Sequence, residues 1–490
     1  MAASQATPIV VGGFLSLIVG VGGPPAYVWG FFTSGVFNIM VMFSLAELAC
    51  VYPCAAGQIY WSGILSKTGH NRALSYACGW TCSFGWFLWF GGTTILVAEY
   101  ICALVEIYRP ESAFKMWQVY LVNVAVIIIC FIWNAPLFKV FSKSATAVTY
   151  LFNLGALFIF IALLVKAAPK KSPRQVFVEL INETGWSSDG FVFLIAAGPL
   201  TACLSAFDTA THLADEMPNP SRTVPIVMIS STLINLVTGF AMCMVQMFCT
   251  VNLQNFLDPI GKQPLIQLLH DSFESDALLI ISCIILVIAG FCSATSVLIT
   301  GSRSLWSFAR LDGTPFSVWL GEIDSRYCLP MNALYTLTAA TITITAVSMG
   351  STTALNAILG GGGICIFISY IFPISQLVLV GRNVLPQNRR LNLGVVGAIF
   401  NWVSFFWIPF IVIVQCFPLY LPVTAGTMNY TLPIIGGVSL LGILNWLMHS
   451  KNLYKIPQWT IDGIPVEDSV IVSFEGVPSG SRKGDMDKEK

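Results

Sequence analysis

The run Gly198-Pro199-Leu200-Thr201-Ala202-Cys203-Leu204-Ser205-Ala206-Phe207-Asp208-Thr209-Ala210-Thr211-His212 sits inside an otherwise apolar stretch over residues 189–214. Proline lacks the amide proton that a helix interior uses, and its ring clashes with the preceding turn. A glycine ahead of it and hydroxyl residues behind it predict a helix interrupted somewhere within 198–211. In a bilayer, irregular backbone is tolerated only where it is buried in protein or lines a wet cavity, and in transporters such breaks mark binding sites. An ionised Asp208 near the membrane centre costs at least roughly 2.5–3.5 kcal/mol on insertion scales, so it needs a partner or water. Two readings stand side by side. Freed backbone groups grip the ammonium or carboxylate of a solute, or a kinked packing helix bonds Asp208 to a neighbour.

Working outward, the 490 residues are 56% hydrophobic and 10% charged, with a mean hydropathy of +0.77. Soluble domains carry roughly 25% charge, and this composition cannot coat a water-facing surface with polar groups. A bilayer core about 30 Å thick asks for roughly 20 apolar residues per helix, and such stretches recur near 27–50, 73–104, 118–135, 145–166, 189–214, 225–250, 277–301, 333–350, 354–380, 394–418 and 431–449. Membrane strands would be shorter and alternating, so the fold class is all-α and polytopic. One membrane domain is expected over 8–450, with a short remnant at 1–7 and a cytoplasmic tail over 451–490. From about residue 456 that tail is rich in Pro, Gly, Ser and mixed charge, a composition for solvated disorder. Pro8–Val21 is apolar but too short to cross alone, and Gly22-Gly23-Pro24-Pro25 ends it. It reads as the second half of a broken first helix whose first half is missing.

A net charge of +0 gives no case for a nucleic-acid partner. The cysteines lie mostly in apolar runs; Cys78 and Cys82 are one helical turn apart with no His or acidic cluster nearby in sequence, so they read as packing residues. No metal, cofactor or catalytic set is expected: four histidines and no grouped Ser/His/Asp leave little from which to build an enzyme.

Lys and Arg placement sets the topology. With the loop after Cys50 inside, cytoplasmic loops hold 11 cations against 7 outside, and the C-terminal tail lies inside. Asn182-Glu183-Thr184 and Asn429-Tyr430-Thr431 are glycosylation triplets in loops that this rule places outside.

Other polar or small positions within apolar runs divide between roles. Gly360–Gly363, with Gly361 and Gly362 at its centre, serves either as a gate hinge, like Gly198 and Pro199, or as a close helix contact. Trp86 and Phe90, with Trp80, Phe87 and Trp89, offer aromatic faces to a cation or to lipid and core. Ser293, Thr295 and Ser296 line a cavity or bond back to their own helix. Glu47 is a proton carrier or a structural bond to the next loop, and Glu99 is similar. Arg303 and Arg310, on one helical face, read as a positive-inside anchor.

Several motifs resemble the amino acid–polyamine–organocation superfamily, and within it the fungal amino acid/choline transporter branch of amino-acid, GABA and choline permeases. Ser44-Leu45-Ala46-Glu47-Leu48-Ala49, followed by Tyr52-Pro53 and Gly57-Gln58-Ile59-Tyr60-Trp61, is similar to that family's "SLAEL…YPTSGGQYYW". Ala206-Phe207-Asp208-Thr209-Ala210-Thr211-His212 resembles "GYDASAH", and Ser302-Arg303-Ser304-Leu305-Trp306-Ser307-Phe308-Ala309-Arg310 resembles "SRMTWAFAR". Phe417-Pro418, Pro422-Val423-Thr424 and Met428-Asn429-Tyr430 are similar to "FP…PVT…MNY".

The resemblance implies about twelve helices in the leucine-transporter-type fold, with 5+5 inverted repeats and a site between broken helices one and six. It implies uptake of small amino-acid-like or quaternary-amine solutes, with a proton as co-substrate, at the plasma membrane or the vacuolar membrane. The implied solute contacts are Ser205, Ala206, Phe207 and Asp208, walls at Trp86 and Phe90, and Gly12, Gly13 and Ser296; Asp208 and Glu47 are the coupling candidates. Ala206 stands where the family has glycine. A transport-inactive nutrient sensor on the same fold is the alternative.

Overall fold

The computed structural model describes residues 7–66, 69–109, 111, 114–350, 352–456, 460–461 and 464–465. Among these, ten helices are long and apolar enough to cross a membrane. The chain begins with α1 (Thr7–Val10), which tightens into a 3-10 run over Val11–Ile18. Left-handed Gly22 then turns it into α2 (Gly23–Val51), where Pro24 and Pro25 occupy first-turn positions that need no amide donor. Next come α3 (Gln58–Ile64), α4 (Asn71–Tyr108), α5 (Met116–Asn134) and α6 (Phe138–Lys166). A short α7 (Pro173–Phe177), opened by a Ser172–Gln175 capping box, precedes α8 (Asp189–Ala202). A 3-10 segment (Phe207–Glu216) follows, then α9 (Pro220–Cys249), α10 (Pro264–Ser272) and α11 (Asp276–Ala309). The last helices are α12 (Met331–Thr345), α13 (Thr352–Val380), α14 (Gly394–Gln415) and α15 (Thr431–Asn445). A two-residue pairing of Thr460–Ile461 with Ile464–Pro465 is the β-structure among the described residues.

This is the all-α polytopic architecture expected, with one correction to the spans. Residues 333–350 do not form one continuous α-helix: α12 has 15 residues and ends in a 3-10 turn, Ala346–Met349. Thr336, Thr338, Thr343 and Thr345 turn their hydroxyls onto carbonyls four residues back, which loosens the ladder of a helix. Thr7–Ile18 is helical but shorter than a span.

Burial separates the helices into inner and outer sets. On α4, Trp86, Phe90, Cys82 and Tyr100 are buried, whereas α5, α6, α14 and α15 expose Leu121, Ile128, Leu154, Ile399, Phe406 and Leu440. Exposed apolar belts of this kind face lipid in a polytopic protein. The inner pair, α4 and α13, touch backbone to backbone. A Cβ on Gly362 would lie 2.7 Å from the Trp89 amide nitrogen, and one on Gly85 would lie 2.8 Å from that of Ile366. Gly362 is therefore a contact position here, and Gly361 packs on Ile434 of α15.

The loops gather at two ends. At one end the loop before α8 meets the loop after α14: the Leu421 amide donates to the Thr184 carbonyl at 2.7 Å, and the Trp186 indole to Pro418 at 3.2 Å. Both glycosylation triplets thus share one face. Their amide nitrogens, the atoms a glycan would take, are in use. Asn182 donates to the Trp186 carbonyl (2.9 Å) and Asn429 to that of Gln415 (2.7 Å). At the other end, Arg72 donates to the carbonyls of Lys451 (2.9 Å) and Tyr454 (3.0 Å), and the Lys455 amide to that of Leu311 (3.0 Å). The first residues of the 451–490 tail, ahead of the stretch read as disordered, are therefore docked, with Tyr454 buried against Ser75. The tail's remainder lies outside the described residues, apart from the β-pairing.

Candidate functional site

Unwinding begins later than the proline. α8 runs through Gly198 and Pro199 to Ala202, and α2 side chains bond to its carbonyls: Ser34 donates to Ala197 (3.1 Å) and Asn38 to Thr201 (2.9 Å). Residues Cys203–Ala206 then leave the helix. Ala206 turns the chain with φ 65° and ψ 21°, a left-handed conformation, and the 3-10 segment starts at Phe207. The Cys203 carbonyl is taken by the Thr7 hydroxyl at 2.7 Å, so α1 closes the break from the side. Ser205, Thr209 and Thr211 satisfy carbonyls within their own segment, those of Ala202, Ala206 and Asp208.

Asp208 emerges just past the break with no solvent exposure. Its Oδ1 accepts from the Tyr370 hydroxyl of α13 at 2.6 Å, and its Oδ2 from the Gln58 amide of α3 at 2.8 Å. His212, one turn further, places Nε2 3.3 Å from the same Oδ2 and Nδ1 3.0 Å from the Ala55 carbonyl. The Cys82 thiol of α4 stands 3.7 Å from His212 Nε2, 3.0 Å from the Gln58 amide and 3.5 Å from Ser304 of α11. One polar atom each of Cys82, Asp208 and His212 fall within 4.8 Å of one another. This corrects the sequence reading of Cys82, which has both a histidine and an acid beside it in space.

The aromatic residues enclose this cluster. Phe207 stacks on Tyr370 with ring centroids 5.0 Å apart, and Trp86 meets His212 edge-on at 6.2 Å. Trp86 is buried, and its indole nitrogen has no partner among the described residues. Four helical elements therefore bring carboxylate, imidazole, thiol, amide and phenol together at the end of a backbone break. Such a group can hold a charge or a proton away from water.

Other candidates lie elsewhere. Phe90 is buried one turn along α4 from Trp86. Ser296 is half-buried and bonds back to Cys292 of its own helix at 2.9 Å. Gly12 packs on Leu265 of α10, and Gly13 has open space beside it. Glu47 is fully buried and forms 2.7 Å ion pairs with Arg382 and Arg389, beyond α13. Arg303 is buried and pairs with Glu216 at 2.8 Å, so it joins α11 to the 3-10 segment as well as ending its apolar run. Gln58, Tyr370, His212 and Ser304 were not singled out from sequence. Gln58, His212 and Ser304 sit inside the motifs quoted above; Tyr370 carried no local signal.

A family model described as amino acid permease matches residues 1–440. The chain belongs to the amino acid permease family. This permease is a multi-pass membrane protein, and its curated relatives are named as transporters or permeases. It is 28% identical over 446 residues to a choline transporter of Saccharomyces cerevisiae, covering 89% of this chain and 78% of the relative. It is 26% identical to a putative amino acid/polyamine transporter of Macrophomina phaseolina, covering 85% and 92%. A homolog of the amino-acid permease BAT1 from Oryza sativa subsp. japonica is 26% identical, with 90% and 87% covered.

Proposed function

We propose that this permease is a secondary active transporter for amino acids or related amines such as γ-aminobutyrate or choline, driven by a proton gradient through alternating access. The observation that carries the reading is the interruption at Cys203–Ala206 with Asp208 directly after it. Main-chain dipoles freed from a helix replace the hydration shell of a small zwitterion or cation, as discontinuous helices do in transporters. Asp208 serves as the cation contact or in proton coupling, and Phe207 and Trp86 form the apolar walls. A proton crossing 100 mV yields about 2.3 kcal/mol, roughly a fifty-fold concentration ratio.

In this reading the end carrying Arg72, Lys455 and the docked tail faces the cytoplasm, and the end with Asn182 and Asn429 faces outward at the plasma membrane. The Glu47 and Arg303 ion pairs hold the cytoplasmic side together. Removing Glu47 from its buried pairs costs about 3–5 kcal/mol, whereas Glu216 is half-exposed and its pair with Arg303 is screened by solvent.

The test is uptake of a labelled solute panel in a permease-deficient fungal host. The unaltered chain accumulates at least one solute and loses that accumulation with a protonophore. Asp208→Asn abolishes concentrative uptake at unchanged membrane expression. Normal accumulation by that variant would remove Asp208 from the mechanism. Solute binding without uptake by the unaltered chain would favour a transport-inactive sensor.

A further inference from the structure

His212 offers two nitrogens to two different acceptors. A carbonyl oxygen only accepts, so the 3.0 Å contact with Ala55 places a proton on Nδ1. Nε2 then faces Asp208 Oδ2 at 3.3 Å. Two lone pairs at that distance repel, so the contact is a bond only when a proton lies between them. That proton sits on the imidazole or on the carboxyl, and in either case the pair is neutral overall. In a fully buried site a neutral pair avoids the penalty of an isolated charge.

The surroundings also provide for the pair without that proton. Asp208 keeps the Tyr370 hydroxyl on Oδ1 and the Gln58 amide on Oδ2, and these two donors hold the anion left behind. The Ala55 carbonyl keeps His212 in the tautomer whose free nitrogen is Nε2, so the proton always enters and leaves at one atom. The titratable groups facing the pair are Cys82 and Cys78 of α4 and Tyr370 of α13.

Asp208 and His212 share the 3-10 segment Phe207–Glu216, whereas their partners belong to α3, α4, α13 and the loop before α3. A movement of that segment carries the pair as a unit and shifts it against the Tyr370, Gln58 and Ala55 groups. The pair's hold on its proton thereby depends on where the segment stands.

We infer that Asp208 and His212 form one shared site for the transported proton, and that His212 Nε2 is the atom at which the proton is taken up and released. This rests on the proton-coupled reading above. On release, the Nε2···H···Oδ2 bridge breaks and the proton passes to water on the side then open. A neutral imidazole and a carboxylate remain, and no other bond changes.

The test uses the full permease in proteoliposomes, with radiolabelled choline and γ-aminobutyrate as separate arms. Inward accumulation under an imposed proton gradient is compared with exchange of labelled for unlabelled solute, which needs no net proton movement. The unaltered protein is expected to accumulate solute up to about fifty-fold per 100 mV. His212→Gln is expected to fall to simple equilibration while it still exchanges labelled for unlabelled solute. Gradient-driven accumulation by His212→Gln overturns the inference and leaves the transport reading standing. Equal loss of accumulation and exchange assigns His212 to solute binding or positioning and also overturns it. Failure of the unaltered protein to accumulate either solute overturns both.

A second measurement does not depend on how well that variant folds. His70, His270 and His449 are changed to Gln, leaving His212 as the sole histidine, and its nitrogens are followed by solid-state NMR between acid and alkaline buffer. Loss of a proton from Nε2 with Nδ1 still protonated is expected; an Nε2 signal indifferent to pH overturns the inference.

Discussion

Ala206 holds the turn between α8 and the 3-10 segment in a conformation that favours glycine, with φ 65° and 2% exposure. A left-handed backbone costs a residue with a Cβ about 1–2 kcal/mol. Ala206→Gly relieves that strain but loosens the unfolded chain by about 0.4–1 kcal/mol, so its melting temperature in detergent should stay within a few degrees of the unaltered protein. Ala206→Val adds β-branching at a positive φ and extra volume in a packed site, worth about 1–3 kcal/mol. It should melt clearly lower, and a matching melt would mean that the turn is not the constraint described. Asp208 was legible as a buried acid in an apolar run. Its donors Gln58 and Tyr370 were not, because they lie 150 and 162 residues away.

At the scale of elements, most spans were legible from run length alone, since a bilayer demands about 20 apolar residues whatever their order. The point of unwinding was not. Proline predicts a break at its own position, yet α8 continues past it to Ala202, and the left-handed turn falls at Ala206. The glycine run of α13 had two readings, and its distance to α4 favours contact. Gly362→Ala should lower the melting temperature by an amount corresponding to about 1–3 kcal/mol, because the new methyl meets the Trp89 backbone at 2.7 Å. Gly436→Ala on α15 meets nothing within 4 Å and, alanine being the better helix former, should not lower stability. Equal melts for the two variants would remove the close contact between α4 and α13.

For the molecule as a whole, the division between docked and undocked tail makes a further test. Tyr454 is 1% exposed and bonded to Ser75 at 2.8 Å, and truncating a buried aromatic costs about 3–5 kcal/mol. A chain ending after Ile456 should melt like the full protein, whereas one ending after Ser450 should melt markedly lower. Identical melts would show that the segment contributes nothing to the fold.

Composition and run length by themselves determined that this chain lives in a bilayer, is built of helices, and breaks one of them near Asp208. Those properties follow from local transfer free energy and from proline and glycine chemistry, which act residue by residue. Only the tertiary structure decided which helices are wrapped by others, where the broken helix actually lets go, and that Gln58, Cys82, His212 and Tyr370 converge on one carboxylate. Such meetings depend on how rigid helices pack, and the contacts that settle them join residues far apart in the chain.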